Sequence, residues 1–356
     1  MLAVKIEVNS LRVFKSNISV LQPKYMRNVI CALTLLLLTA TAPDRRYAPG
    51  GKPKEFPEAT ITNGLIEAHV YLPDTKDGYY RGARFDWAGV VSSLVYNEHS
   101  YFGQWFEHYS PTLHDAIMGP VDAFYPVGFD EAKPGDSFLK IGIGTLLRPD
   151  DKPYHFSTPF EIQDYGKWKV KRKKDQVEFV HEHVWKEYGY VYTKILRLEP
   201  GKPELTLLHT LKNTGSRVLE TNVYNHNFFV IDQQPTGPDF TITFPFPLAG
   251  EGKGPVGIGE LQGNSIVYNR VLAKGENFYC SPLLGFGDSA KDNQVTIENR
   301  KTGAGVKISC DLPIARIVYW SAPATVCPEP YSNIRVAPGE EISWKNVYEF
   351  YILPAK

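Results

Sequence analysis

The segment Tyr224–Phe229 (YNHNFF) places a histidine between aromatic side chains at alternating positions. In a β-strand Tyr224, His226 and Phe228 share one face, because successive side chains point to opposite sides. Aromatic rings can stack on the apolar C–H face of a sugar while an imidazole takes up or gives up a proton. The segment is therefore a candidate site for acid–base chemistry on a carbohydrate. A hydrogen-bonded core histidine is the alternative interpretation.

A glutamate between two prolines is the second candidate, Glu329 in Val326–Tyr331 (VCPEPY). Pro328 and Pro330 fix the backbone on both sides and cannot donate to a sheet ladder. The pattern predicts a carboxylate in a rigid, irregular segment after the apolar run Ile314–Trp320, although a solvated turn acid would look the same. Glutamate is ionised near neutral pH and histidine can be cationic there, so an acid and a base are available without a metal.

Three further sets of polar residues could contact a ligand. His114 lies in a loop that also contains a Gly-Pro turn, where it could bind a ligand or cap the turn. Arg84 and Asp86 would share a strand face and could bind a ligand or pair with each other. His181 and His183 also share a strand face, but no third ligand accompanies them, so no metal is predicted.

Short β-type runs separated by turn residues dominate the chain from Ile61 onward. Strands at this spacing, without alternating helical blocks, predict an all-β fold of mainly antiparallel strands. The aromatic content of 13% fits half-buried pleated surfaces. One short helix is expected near Thr112–Met118. The clearest runs are Leu139–Leu147, Val177–Val184, Tyr190–Leu198, Glu204–Leu211, Val218–Tyr224, Phe240–Phe246, Ile314–Trp320 and Val347–Leu353.

Composition and motifs exclude several functions. The 356 residues contain 39 Lys and Arg against 39 Asp and Glu, so there is no basic excess for a nucleic-acid partner. The Walker-type phosphate loop, the nucleophile elbow and the HExxH zinc motif are all absent from the sequence. No linker divides residues 61–356, which are predicted to form a single domain after a flexible segment, 43–60.

The uncharged run Val29–Ala42 has the features of a secretory signal. It is too short to span a bilayer, which needs about 20 residues. Lys24 and Arg27 precede it, and Ala40-Thr-Ala42 has the form that signal peptidase reads. We expect a signal peptide over 26–42, with 1–25 an over-extension of the reading frame, and an exported protein (periplasmic or extracellular) without membrane contact after cleavage. An oxidising compartment would permit one disulfide among Cys280, Cys310 and Cys327.

The order of these motifs resembles that of the galactose mutarotase (aldose 1-epimerase) superfamily. Asn225–Phe229 resembles the strand that carries the family's catalytic histidine, and Cys327–Pro330 resembles the late Glu-Pro segment that carries its base. Near the start, Gly82–Phe85 followed by Val90–Leu94 resembles the family's early strand. The resemblance spans roughly residues 61–353, and the ordered set is more specific than any one motif.

The resemblance implies a galactose mutarotase-like β-supersandwich with a sugar cleft that needs no cofactor. By position, His226 would be the general acid and Glu329 the general base, on opposite sides of the sugar ring. His114 falls near the family's first histidine, although the family's Leu-His-Gly-Gly is replaced here by 116–119 (AIMG). The expected substrate-binding residues are His114, Arg84, Asp86, Tyr224 and Phe228.

The function so implied is that of an exported isomerase that interconverts the anomers of an aldose by acid–base ring opening. Its partner would be a monosaccharide or short saccharide, and the sequence does not indicate an oligomeric state. A non-catalytic carbohydrate-binding or accessory protein of polysaccharide use, or a lyase or hydrolase on the same fold, is the alternative. The presence of both His226 and Glu329 favours catalysis.

Overall fold

The computed structural model describes residues 55–354, with residues 252 and 253 described by their backbone alone. The proposed over-extension, the signal segment and most of 43–60 lie outside the described residues. The strands are β1 (Glu58–Thr62), β2 (Ile66–Tyr71), β3 (Val90–Tyr96), β4 (His99–Phe102), β5 (Gly119–Phe124), β6 (Ser137–Lys140), β7 (Gly144–Leu147), β8 (Ile162–Asp164), β9 (Lys167–Arg172), β10 (Gln176–Trp185), β11 (Tyr188–Leu198), β12 (Glu204–Asn213), β13 (Leu219–Phe228), β14 (Phe240–Thr243), β15 (Gly252–Lys253), β16 (Gly259–Gln262), β17 (Ser265–Tyr268), β18 (Phe278–Leu283), β19 (Gln294–Asn299), β20 (Ala304–Cys310), β21 (Arg316–Ala322), β22 (Thr325–Val336) and β23 (Glu341–Ile352). Two 3-10 turns, Ile231–Gln233 and Ala290–Asp292, are the helical elements of this part of the chain.

Two large antiparallel sheets make up most of the fold. The large sheet has ten strands in the order β16-β17-β14-β19-β20-β23-β12-β11-β10-β9, and the site sheet has six in the order β15-β18-β21-β22-β13-β5. Smaller sheets follow the orders β1-β2-β3-β4 and β6-β7-β8. The predicted all-β, mainly antiparallel class is confirmed. No helix of residues 55–354 is long and apolar enough to cross a membrane.

The main core lies between the two large sheets. Alternation along the strands of the large sheet turns one set of side chains inward, as in β10, where Val177 and Phe179 are fully buried. Leu196 and Leu207 of the large sheet join the same apolar cluster as Tyr319 of the site sheet. Burying each such side chain stabilises the fold by about 1.5–3 kcal/mol.

Two local predictions are wrong. Residues 112–118 form turns and not a helix: Ala116, Ile117 and Met118 are all buried in succession, which a one-sided helix does not allow. The run Leu139–Leu147, predicted as one strand, is a hairpin. Its middle turns at Gly142, whose φ of +76° suits glycine, so that β6 and β7 pair with each other.

Candidate active site

The site is built where two neighbouring strands of the site sheet separate. Strands β13 and β22 pair regularly from Leu219 opposite Val336 to Tyr224 opposite Tyr331, and the continuous ladder ends there. Beyond this point β13 pairs only with β5, and β22 pairs only with β21, apart from one isolated bridge. The side chains that follow Tyr224 in one strand and precede Tyr331 in the other therefore meet across an unpaired gap.

The two prolines explain why the ladder ends. Pro328 and Pro330 have no N–H groups to offer β13, so they are tolerated where that pairing is absent. Glu329 is consequently held within the regular strand β22, and the predicted irregular segment is not observed. The Asn227 side chain bridges the gap by donating from Nδ2 to the Pro328 carbonyl at 2.9 Å.

His226 and Glu329 meet in this gap. His226 Nε2 lies 3.2 Å from Glu329 Oε1, and both side chains are about 95% buried, at 4% and 5% exposure. The Phe228 ring stacks on the imidazole at 3.8 Å between centroids, and Phe85 packs edge-on at 5.6 Å. The predicted acid and base are thus in direct contact and not on opposite sides of a space large enough for a sugar ring.

Burial sets the protonation of this pair. It raises the pKa of Glu329 to about 8, although the charges of Arg84 and Arg316 oppose the shift. Burial also lowers the pKa of His226 well below its usual value, and the positive charge of Arg84 adds to that effect. At neutral pH the pair therefore holds one proton, and that proton is on Glu329, the reverse of the ionisation that residue types alone suggest.

Arg84 is a buried cation in the same site. Its Nη2 and Nε atoms donate to the Tyr224 hydroxyl at 3.2 and 3.4 Å. Its guanidinium lies over the rings of Phe85 and Phe156 at 4.5 and 4.1 Å. The positively charged guanidinium of Arg84 therefore contacts a phenol and two aromatic rings, which carry no negative charge.

These residues open onto a cleft with a volume of about 680 Å³, which is within the range of small-molecule sites. His226, Glu329, Arg84, Tyr224 and His114 line it. Several partly exposed aromatic rings that were not identified from the sequence offer stacking surfaces, among them Trp105, Phe156, Trp320 and Tyr331.

Three predicted binding residues have particular placements. Phe228 stacks on both His226 and Trp105 and is 1% exposed, so it supports the imidazole and has little face left for a sugar. His114 is partly exposed at the cleft, 3.6 Å from Asp115. Asp86 does not line the cleft and does not pair with Arg84.

Asp86 belongs to a buried polar network behind the site. Its carboxylate accepts from Tyr192 at 3.2 Å and lies 3.4 Å from Lys194 Nζ. The same ammonium lies 2.7 Å from Asp122, whose other oxygen accepts from Asn225 at 3.1 Å. Because Lys194 is in the large sheet and Asp122 and Asn225 are in the site sheet, the network joins the two sheets directly behind β13.

Lys140 is a cleft residue that sequence reasoning missed. It is 1% exposed, and its Nζ donates to the Tyr154 hydroxyl at 2.6 Å. A signal was present, since a lysine inside the apolar run LKIGIG is unusual in a buried strand. Tyr154, 14 residues later and beyond β7, could not have been assigned to it from spacing.

His181 and His183, the two histidines that share a strand face, contact neighbouring protein groups. Both ring nitrogens of His181 have partners, Tyr165 O at 2.8 Å and Tyr190 Oη at 3.1 Å, and His183 Nε2 contacts Thr145 Oγ1 at 2.6 Å. No group of three metal-ligating side chains occurs in the part of the chain that the structure describes. The cysteines predicted to permit a bridge are free thiols: Cys280, Cys310 and Cys327.

Comparison with known proteins identifies the fold. No protein-family model and no curated protein matches the sequence. The Slr1438 protein from Synechocystis sp. PCC 6803 is 12% identical over 86% of this chain and 100% of its own, with a TM-score of 0.52. A galactose mutarotase-like protein from Lactobacillus casei ATCC 334 is 16% identical over 83% of this chain and 100% of its own, with a TM-score of 0.51. At these identities the likeness is one of fold. The chain therefore has the galactose mutarotase-like β-sandwich fold that its sequence motifs resemble.

Proposed function

We propose that the protein is an aldose 1-epimerase-like isomerase that interconverts the anomers of a monosaccharide or the reducing end of a short saccharide. The observation that carries the proposal is the His226–Glu329 pair, whose Nε2 and Oε1 atoms lie 3.2 Å apart in a cleft with aromatic walls. Ring opening of a hemiacetal requires one group that accepts a proton and one that donates it, and this pair supplies both.

The proton transfers follow from the protonation of the pair. Neutral His226 accepts the proton of the C1 hydroxyl while the Glu329 carboxyl protonates the ring oxygen, and the C1–ring oxygen bond breaks. After rotation about C1–C2, protonated His226 returns a proton to the aldehyde oxygen as the ring closes, and the Glu329 carboxylate removes the proton from the attacking hydroxyl. The roles implied by the resemblance, His226 as acid and Glu329 as base, thus belong to the closing half.

Direct contact between the two groups is compatible with this chemistry. The C1 hydroxyl and the ring oxygen are both bonded to C1, so the two oxygens are adjacent. Two side chains 3.2 Å apart can therefore exchange protons with both of them from one edge of the sugar. Each positioned proton transfer contributes about 10²–10⁴-fold, which is enough for a reaction that already proceeds in water.

The test is the rate at which freshly dissolved α-anomers equilibrate, followed by NMR. Glucose, galactose, xylose and uronic acids are supplied to wild type, to Glu329→Gln, and to Glu341→Gln as a matched control at an exposed position of β23. We expect acceleration by wild type and the control, and a loss of at least about 100-fold in Glu329→Gln with sugar binding retained. A near-full rate in Glu329→Gln would remove Glu329 from the reaction. Chemical-shift changes without acceleration on any sugar would favour the carbohydrate-binding alternative.

We also propose that the protein is exported, with residues 26–42 as the signal. The support is the uncharged run 29–42 between basic residues and a small-residue cleavage pattern.

A further inference from the structure

The cleft holds a buried lysine whose charge has no counter-ion. Lys140 lines the cleft, and its polar contact is the Tyr154 hydroxyl at 2.6 Å, with the Tyr154 ring centroid 5.2 Å from Nζ. No carboxylate among the described residues forms an ion pair with it. A buried ammonium without a partner is costly, so such a group is usually paired when charged.

A second unpaired cation lies in the same cleft. Arg84 is 8% exposed and contacts the Tyr224 hydroxyl and two aromatic rings, without an ion pair to a carboxylate in residues 55–354. Its charge acts on Lys140: burial and the Arg84 charge together lower the pKa of Lys140 well below the usual value. We call Arg84, Lys140 and Tyr154 the cationic subsite.

Neither Asp115 nor Glu329, the acids that line the cleft, forms an ion pair with this subsite, although the charges of Glu329 and Arg84 act on each other. Asp115 lies 3.6 Å from His114, and Glu329 contacts His226. A third cation, Arg316, also lines the cleft, but it is exposed to solvent and is not one of the buried charges. Among the described residues, the groups found against Lys140 are the Tyr154 hydroxyl and ring and the charge of Arg84, and neither residue is an acid at neutral pH.

The summed charge of the buried cleft side chains favours a ligand with a single negative charge. In the resting cleft Glu329 holds its proton, so Arg84 and a protonated Lys140 attract an anion. Once ring opening has ionised Glu329, these three groups carry a net charge of +1. A carboxylate brings that sum to zero, whereas a phosphate dianion leaves an excess negative charge in a buried site. Arginine and lysine both form strong charge-assisted hydrogen bonds with carboxylates.

We propose that the cationic subsite binds the carboxylate of a sugar acid, so that the substrate class of the cleft is uronic acids and not neutral aldoses. The inference rests on the proposed function only for the isomerisation of the bound sugar acid. The binding of its carboxylate to the cationic subsite does not depend on that function. Binding of the carboxylate next to Lys140 favours its protonated form, so that complex formation takes up a proton.

The first experiment compares affinities by isothermal titration calorimetry at pH 7.5 for glucuronate, glucose and glucose 6-phosphate. Wild type is expected to bind glucuronate at least about tenfold more tightly than glucose, the effect of one charge-assisted hydrogen bond. In Lys140→Met, which keeps the stem and removes the charge, this ratio falls toward one. Lys212→Met removes an exposed lysine of β12 and is expected to leave the ratio unchanged.

The second experiment needs no variant. Titration of wild type with glucuronate in two buffers of different ionisation enthalpy should show net proton uptake, whereas titration with glucose should not. Equal affinity for glucuronate and glucose, or an unchanged ratio in Lys140→Met, would overturn the proposal. Tighter binding of glucose 6-phosphate than of glucuronate would overturn the assignment to a carboxylate and show a phosphate subsite instead.

Failure of this inference and failure of the proposed function give different results. If neutral anomers are equilibrated in a Glu329-dependent way without a preference for glucuronate, the isomerase stands and the subsite assignment falls. If glucuronate is preferred through Lys140 but no anomer is equilibrated, the subsite stands and the isomerase falls.

Discussion

At the scale of single residues, the cleft brings together two groups whose burial favours the uncharged form of each. The free energy of an isolated charge rises steeply away from water, which moves the pKa of a carboxyl up and that of an imidazole down. Glu329 and His226 move in these opposite directions and lie 3.2 Å apart. The result is a pair that accepts a proton on nitrogen and donates one from oxygen at neutral pH, without a metal ligand set.

The pH dependence of the proposed reaction follows from the one proton that the pair holds. The active pair carries one proton, so kcat/KM should fall as pH rises through about 8, where Glu329 loses it. At the acid side the rate should fall only well below pH 6.5, where His226 becomes protonated and no acceptor remains. Initial rates of α-anomer equilibration between pH 5 and pH 9.5 measure the alkaline limb, and a series extended to lower pH measures the acid limb. A rate that rises through pH 8 and stays high would show instead that the ionised Glu329 is the starting form.

At the scale of elements, the gap between β13 and β22 positions the pair. Asn227 spans the gap, donating to the Pro328 carbonyl at 2.9 Å and accepting from the Tyr348 hydroxyl at 2.7 Å. Tyr348 belongs to β23 of the large sheet and also donates to Asn225. The separation of two strands in one sheet is therefore fixed by a hydrogen bond from the other sheet.

Asn227→Ala tests this positioning role. It leaves the Pro328 carbonyl and the Tyr348 hydroxyl without that partner, so we expect about 1–3 kcal/mol of lost stability in urea unfolding. Because Glu329 follows Pro328, kcat should fall by more than KM changes, a split that a purely structural role would not produce.

Asn269→Ala provides the comparison, since that side chain is exposed and away from the gap. Its stability should stay within about 0.5 kcal/mol of wild type. Equal kcat in Asn227→Ala and wild type would show that the bridge supports the fold without positioning Glu329.

The residue pattern could predict some of this arrangement and not the rest. Period-two alternation placed Tyr224, His226 and Phe228 on one face, because that rule depends only on the backbone. It could not show that the Pro328 carbonyl is bridged from another strand, nor that Gly142 turns the run around Lys140 into a hairpin. Arg84 lies in the cleft and Asp86 lies behind it. These positions depend on partners more than 100 residues away in the sequence, Tyr224 for Arg84 and Lys194 for Asp86.

At the scale of the whole molecule, the site sheet is supported from behind by the large sheet. The ion pair between Lys194 and Asp122 crosses between them, with both side chains at most 2% exposed. Lys194 also pairs with Asp86, which accepts from Tyr192, and Asp122 accepts from Asn225, so these charges belong to the scaffold. Arg84 and Lys140 in the cleft differ from these paired charges, because no acid among the described residues forms an ion pair with them. Similarity of fold alone would not have distinguished the paired charges of the scaffold from the unpaired charges of the cleft.

The proposed export concerns the whole chain, and it is tested by the mass of the product. We expect a bacterial secretion host to release a chain cleaved near residue 42, whether translation starts at Met1 or Met26. Leu36→Arg puts a charge into the apolar run and should leave the full-length chain inside the cell, whereas Leu11→Arg, in the proposed over-extension, should change nothing. The exported chain should keep its three thiols, since burial raises the pKa of Cys280 and of Cys310 to about 12 and the reactive thiolate is scarce. Alkylation after unfolding, read in the same mass spectrum, counts them. An uncleaved intracellular product from the unaltered chain would refute the signal assignment.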